Sequence, residues 1–231
     1  MSWRTSRLAV HLRRVARAAG LTRPIAGALL GSGYENAFEG RLLKAIRPGN
    51  TVWDVGANIG YYTSIFSSLV GHSGRVYAFE PSSENFTRLT RECSRCTNTT
   101  LLPFGLGAQD MEASFEQGSD DLGATSRVTG PGSGGGGVRI RSGDGVVQSG
   151  EAAVPHVIKI DVEGYEWEVL CGMTALLLND SLRWIGIEVH FGLLEMRDMN
   201  HVPRQIEEVL RKSGFAVEWL DSSHLFAERQ P

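Results

Sequence analysis

The stretch that most restricts this chain is Thr51-Val52-Trp53-Asp54-Val55-Gly56-Ala57-Asn58-Ile59-Gly60-Tyr61-Tyr62-Thr63. It opens as an apolar strand with an acid near its end, turns through two glycines separated by three residues, and continues as a helical pattern. Such a strand–turn–helix lets the main chain pass close to a ligand and aims free N–H groups of the helix start at it. It is the arrangement with which doubly wound sheets hold nucleotide-like molecules.

From this stretch onward, strands and helices alternate. Strands are predicted at 51–55, 75–80, 99–104, 157–162 and 184–189, with a closing hairpin at 215–220 and 224–227. Helices are predicted at 34–47, 60–70, from Pro81 to about Cys96, 166–178 and 203–213, with Ser82 or Ser83 able to cap the third of these. Repeated β–α units of this length mean a parallel sheet covered on both faces. The final hairpin would make one edge antiparallel. Residues 105–156 interrupt the pattern. Ala113–Glu116 and Val138–Arg141 read as short strands around a glycine-rich tract at about 129–137, which is expected to be flexible because it has no side chains to pack.

Charge divides the chain in two. Residues 1–50 hold nine Lys/Arg against two Glu, and the remainder fourteen Lys/Arg against twenty-four Asp/Glu. Residues 1–33 read as a basic helical extension, with Leu8, Leu12, Val15 and Ala19 at helical spacing, ahead of a folded domain at 34–231. The extension suits either packing on its own domain or weak peripheral contact with an anionic membrane surface. No apolar run approaches the length of a membrane span, and arginines interrupt any secretory core. Three cysteines make neither a disulfide framework nor a four-ligand zinc site, which points to reduced thiols and a cytoplasmic protein. An acidic body without interleaved basic and aromatic residues argues against nucleic acid as a partner.

Two acids select among nucleotide-like ligands. A dinucleotide fingerprint would place glycines where Asn58 and Tyr61 stand, and Asp54 would repel a pyrophosphate. A ligand carrying ammonium and sulfonium groups reverses that sign. Glu80, at the end of the second strand, is placed to accept both hydroxyls of a ribose. Together these acids favour S-adenosylmethionine.

Three ordered motifs carry a family resemblance: Asp54-Val55-Gly56-Ala57-Asn58-Ile59-Gly60, then Ala78-Phe79-Glu80-Pro81, then Ile158-Lys159-Ile160-Asp161-Val162-Glu163-Gly164. The chain resembles the FkbM-type methyltransferases over roughly residues 34–220. The resemblance implies a Rossmann-like class I methyltransferase fold, a doubly wound, mostly parallel seven-stranded sheet with an antiparallel edge hairpin. It also implies methyl transfer from S-adenosylmethionine to hydroxyl groups of small molecules, sugars or lipid-linked glycans. Gly56, Asn58 and Gly60 would wrap the methionine portion and Glu80 hold the ribose. The fourth strand would bring its last residues to the methyl group. Asp161, Glu163 and His190 are therefore the candidates for the general base, with Glu188 as partner of His190. The same carboxylates and histidine suit Mg²⁺, which would acidify a bound hydroxyl. Lys159 reads as structural. Two other readings stay open: an NAD-dependent oxidoreductase on a related sheet, and a non-catalytic methyltransferase-like protein that binds partners or membranes through its basic leader.

Overall fold

The computed structural model describes residues 33–116, 127–129 and 136–230. The basic extension, apart from Gly33, and most of the glycine-rich tract (130–135) lie outside the described residues. Helix α1 (Gly33–Ala45) ends ahead of Pro48-Gly49-Asn50, and β1 (Thr51–Val55) follows directly. Then come α2 (Tyr61–Val70), β2 (Arg75–Phe79), α3 (Ser83–Glu92) and β3 (Thr99–Leu102). The Ser82 hydroxyl caps α3 by accepting from the Asn85 N–H.

The interruption builds a second, four-stranded sheet from β4 (Gly105–Leu106), β5 (Met111–Glu116), β6 (Arg127–Thr129) and β7 (Gly136–Arg141). Both short strands expected there are present, each beginning two residues earlier than expected. After them, α4 (Gly143–Gln148) leads to β8 (Val157–Ile160), α5 (Glu166–Cys171), β9 (Trp184–Glu188), α6 (Phe191–Met196), α7 (Val202–Lys212), β10 (Phe215–Trp219) and β11 (His224–Arg229). The helix expected over 166–178 is broken into α5 and a short 3-10 turn, Leu176–Leu178. Asp144 breaks it by accepting the N–H groups of Ala175 and Leu176. Helices α4 and α6 have no counterpart in the sequence pattern. Each is only six residues long, too short for a periodicity to register.

The large sheet runs β10-β11-β9-β8-β1-β2-β3. Strands β1, β2, β3, β8 and β9 are parallel; β11 alone opposes its neighbours, inserted between β9 and β10. The C-terminal hairpin thus makes the mixed edge, although the opposed strand lies one place in from the outermost. The chain leaves β1 toward β2 on one side and resumes at β8 on the other. That is the switch point at whose carboxyl end ligands of such sheets bind.

Each strand alternates faces. Trp53, Val55, Ile158 and Ile160 enter one core with Phe79 and Ile187, while Val52 and Val157 enter the other with Phe38, Leu42 and Phe66. The face beneath α1 and α2 is apolar where the strands start and charged where they end, because the next residues along that face are Asp54 and Lys159. Each large side chain buried in these cores contributes roughly 1.5–3 kcal/mol. Among the described residues no helix is long and apolar enough to cross a membrane, and Cys93, Cys96 and Cys171 are free thiols.

The turn after β1 is held by close packing. Gly56 has φ +78°, and a Cβ there would lie 1.9 Å from the Asp161 carbonyl oxygen. Gly60 has φ +94°, with Leu89 and Cys93 of the neighbouring helix against it. Gly56→Ala should therefore destabilise the protein by about 2–5 kcal/mol, from left-handed backbone strain plus displacement of the β8 end. Urea unfolding checks this; a parental midpoint would refute the close approach.

Candidate active site

The carboxyl ends of β1, β8 and β9 and the start of β11 meet in a line of alternating charge. Lys159 is buried on β8, and its Nζ reaches Asp54 Oδ1 at 3.2 Å, Asp161 Oδ2 at 3.5 Å and the Gly56 carbonyl at 2.9 Å. The Thr63 hydroxyl donates to the other Asp54 oxygen at 2.7 Å. Asp54 is thus fully buried and its charge is met inside the protein. The sequence predicts this acid beside a cationic ligand; the cation it meets within the protein is Lys159.

His190, two residues past the end of β9, is the second cation of the line. Its Nδ1 lies 2.7 Å from Oε1 of Glu166, a carboxylate with no solvent exposure at the start of α5. Its Nε2 faces Glu163 at 3.3 Å, Asp161 at 3.7 Å and Glu188 at 3.8 Å. Glu188, the partner expected from strand alternation, is the most distant of the four. Burial alone would lower the His190 pKa, but the hydrogen bond to Glu166 and the charges of Glu163, Glu166 and Asp161 push it up to about 10. With its proton held this firmly, the ring is an imidazolium at neutral pH. Burial holds the Asp161 carboxyl above its ordinary range, against the pull of Lys159.

Glu163 lies in the turn before α5, in the left-handed region at φ +50°, followed by Gly164 at φ +88°. A non-glycine residue held there costs energy and marks a turn determined by its surroundings. Arg197 supplies part of that hold, donating to the Gly164 carbonyl and to Glu168.

On the other side of β1, the Glu80 carboxylate accepts the Asn58 N–H at 2.8 Å and the Ser82 N–H at 2.9 Å, one on each oxygen. Burial pushes the Glu80 carboxyl up to about 7, against those two hydrogen bonds and the nearby charge of Lys159. Asn58 itself has φ +51°, and its Oδ1 is buried with no hydrogen-bond partner among the described residues. Gly56 and Gly60 frame this turn, although the space above Gly56 is filled by the β8 end.

A cleft of about 190 Å³ opens over the charged line, walled by Phe38, Glu39, Tyr61, Tyr62, Lys159, Asp161, Glu188 and His224. Of the three expected catalytic residues, Asp161 lines it, while Glu163 and His190 are not among its walls. Sequence reasoning missed Glu166 and His224 and set Lys159 aside. Lysine inside the apolar run Val-Ile-Lys-Ile of a central strand was the available signal, since buried lysines need a partner. Nothing local marks Glu166 or His224.

Comparison with known proteins gives this geometry a family. Residues 54–217 match the model of the methyltransferase FkbM domain. The hexuronic acid methyltransferase AglP of Haloferax volcanii is 38% identical over 178 residues, 77% of this chain and 68% of that protein. The fold resembles the solved methyltransferase FkbM of Methylobacillus flagellatus, with TM-score 0.53 and 16% identity over 81% of this chain. The chain spans half the length of that protein. It also resembles SMU.1697c of Streptococcus mutans, a putative methyltransferase solved with SAH, with TM-score 0.54 and 13% identity over 90% of this chain and 99% of that one. The three sequence motifs, the switch-point cleft and the matched family model agree: this chain belongs to the FkbM methyltransferase family.

Proposed function

We propose that the protein transfers the methyl group of S-adenosylmethionine to an oxygen of a sugar, a small molecule or a lipid-linked glycan. The observation that carries this reading is the position of Asp161, a carboxylate on the wall of the cleft beside the glycine-framed turn. A glycan acceptor is further supported by AglP, whose name gives a hexuronic acid as the group it methylates. Cytoplasmic residence fits the three free thiols.

The residues around the turn fit the cofactor. Asn58 Oδ1 needs a donor, and each Glu80 oxygen retains a lone pair beyond its backbone N–H. Ribose hydroxyls and an ammonium group meet those demands. Glu80 and Asn58 would hold them, Gly56 and Gly60 shape the turn, and Asp54 acts from behind by fixing Lys159. When bound, S-adenosylmethionine supplies an electrophilic methyl group on a sulfonium.

The remaining work falls to this chain's own side chains. The acceptor oxygen must be held in line and lose its proton. Asp161 accepts that proton from within the cleft. Lys159 and His190 flank it, fixing its position and offsetting its charge, while Glu163 and Glu166 fix His190. A second reading adds Mg²⁺, favoured because Asp161, Glu163 and His190 offer one ligand atom each within 4.8 Å of one another. An imidazole nitrogen suits Mn²⁺ better than Mg²⁺, which prefers oxygen. Turnover abolished by EDTA and restored by either ion would establish that reading; turnover indifferent to EDTA would dismiss it.

Calorimetric titration with S-adenosylmethionine, S-adenosylhomocysteine and NAD tests the class. Binding of the first two and not the third is expected; binding of NAD alone would restore the oxidoreductase reading. Glu80→Ala should weaken cofactor binding by about 1–3 kcal/mol, because a charged hydrogen-bond acceptor is lost. Asp161→Asn should lower turnover by about 10²-fold or more while cofactor affinity changes little. Turnover should rise with pH as Asp161 ionises and fall above about 10, where His190 loses its proton and ceases to offset the carboxylates. A rate that instead climbs steadily to about pH 10 would make His190 the base.

A further inference from the structure

The cleft has two kinds of wall. One is aromatic: Phe38 of α1, with Tyr61 and Tyr62 at the start of α2 packed edge to face. The other is a pair of opposite charges, Glu188 at the end of β9 and His224 at the start of β11. These two are register partners on adjacent antiparallel strands, so their side chains leave the sheet on one face. The Phe38 ring packs 4.5 Å from the His224 ring and joins the two walls.

His224 is held from behind. Its Nδ1 lies 2.8 Å from Asp221 Oδ2, and the other Asp221 oxygen accepts the backbone N–H groups of Ser223 and His224. With Nδ1 occupied, Nε2 faces Glu188 Oε2 at 3.6 Å. Burial would lower the His224 pKa, but Asp221 and Glu188 push it up to about 9, so both ring nitrogens carry protons at neutral pH.

An N–H donor and a carboxylate acceptor therefore stand side by side on the cleft wall. A hydroxyl satisfies both, because one oxygen accepts from the imidazolium while its proton goes to a carboxylate lone pair. A ligand carboxylate would accept from His224 but bring like charge to Glu188. The other cation lining the cleft, Lys159, is already matched by Asp54 and Asp161 and offers a ligand anion no compensation. Glu39, the remaining charged wall residue, is a third acid.

We propose that Glu188 and His224 form a hydroxyl-reading subsite for the acceptor, with Phe38 and Tyr61 as its apolar wall, and that this subsite selects an uncharged sugar face over one bearing a carboxylate. It rests on the methyl-transfer reading and specifies which part of a sugar enters the cleft. A hexuronic acid would enter only with its carboxylate turned away from this wall, at a loss of affinity relative to the neutral sugar. Glu188 and His224 are binding residues here, distinct from Asp161, which takes the proton.

The test is saturation-transfer NMR titration of the full chain loaded with S-adenosylhomocysteine, using the methyl glycosides of glucose and of glucuronic acid as probes. The glucoside should bind at least several-fold more tightly than the glucuronide. Glu188→Gln, close to isosteric and neutral, should reduce or invert that preference while leaving S-adenosylhomocysteine affinity as in the parent. His224→Gln, which keeps a donor without the charge, should weaken both glycosides and the glucuronide more. Equal or tighter binding of the glucuronide by the parent protein, or an unchanged ratio in Glu188→Gln, would overturn the subsite. Failure of both glycosides to bind the loaded protein would also overturn it and leave methyl transfer intact. Failure of S-adenosylhomocysteine itself to bind would take both readings down together.

Discussion

The contact on which the rest of this site depends is the ammonium of Lys159, buried between Asp54, Asp161 and the Gly56 carbonyl. It joins three things that must stay in register: the end of β1, the glycine turn and the end of β8. A buried ion pair gives little net stability against a well-packed apolar alternative, but removing one partner costs about 3–5 kcal/mol because the other charge is left stranded. Such a pair is therefore better understood as a device for position than as a source of stability. Here it sets Asp161 at the cleft wall.

The same logic extends along the sheet. From Asp54 the charges alternate through Lys159, Asp161, His190, Glu188, His224 and Asp221, crossing four strand ends. Each cation is shared by at least two carboxylates, which explains why both histidines hold their protons well above the ordinary range. The consequence for chemistry is a division of labour. In the proposed reaction, histidines in this line orient and neutralise, and proton acceptance falls to a carboxylate. The apolar cores on either side supply the driving force for folding, and the line of charge occupies the rim where those cores end.

The two glycines of the motif also have a packing part. In the turn after β1 the absence of a side chain at Gly56 lets another strand end approach, and at Gly60 it admits a neighbouring helix. The polar groups of that turn are the side chain of Asn58 and the carboxylate of Glu80 that accepts its backbone N–H. The motif still signals the right place in the fold, since a turn packed this tightly brings strand end, helix start and acid together.

What the sequence by itself determined is the set of features written in local pattern. Strand and helix alternation, the turn at Gly56–Gly60, the acid at Glu80 and the exit of Asp161 from a central strand all follow from spacings of a few residues. These were enough for the sheet, its mixed edge and the family. What only the tertiary structure decided is the role of each charge. Asp54 is buried or exposed according to what sits over it, and Thr63 and Lys159 sit over it. Glu188 is expected as the chief partner of His190; Glu166 and Glu163, brought by a left-handed turn, stand closer and hold its proton. His224 reaches the cleft only because β11 inserts beside β9. Protonation depends on distances of a few ångströms between residues far apart in the chain, and no local spacing carries that information.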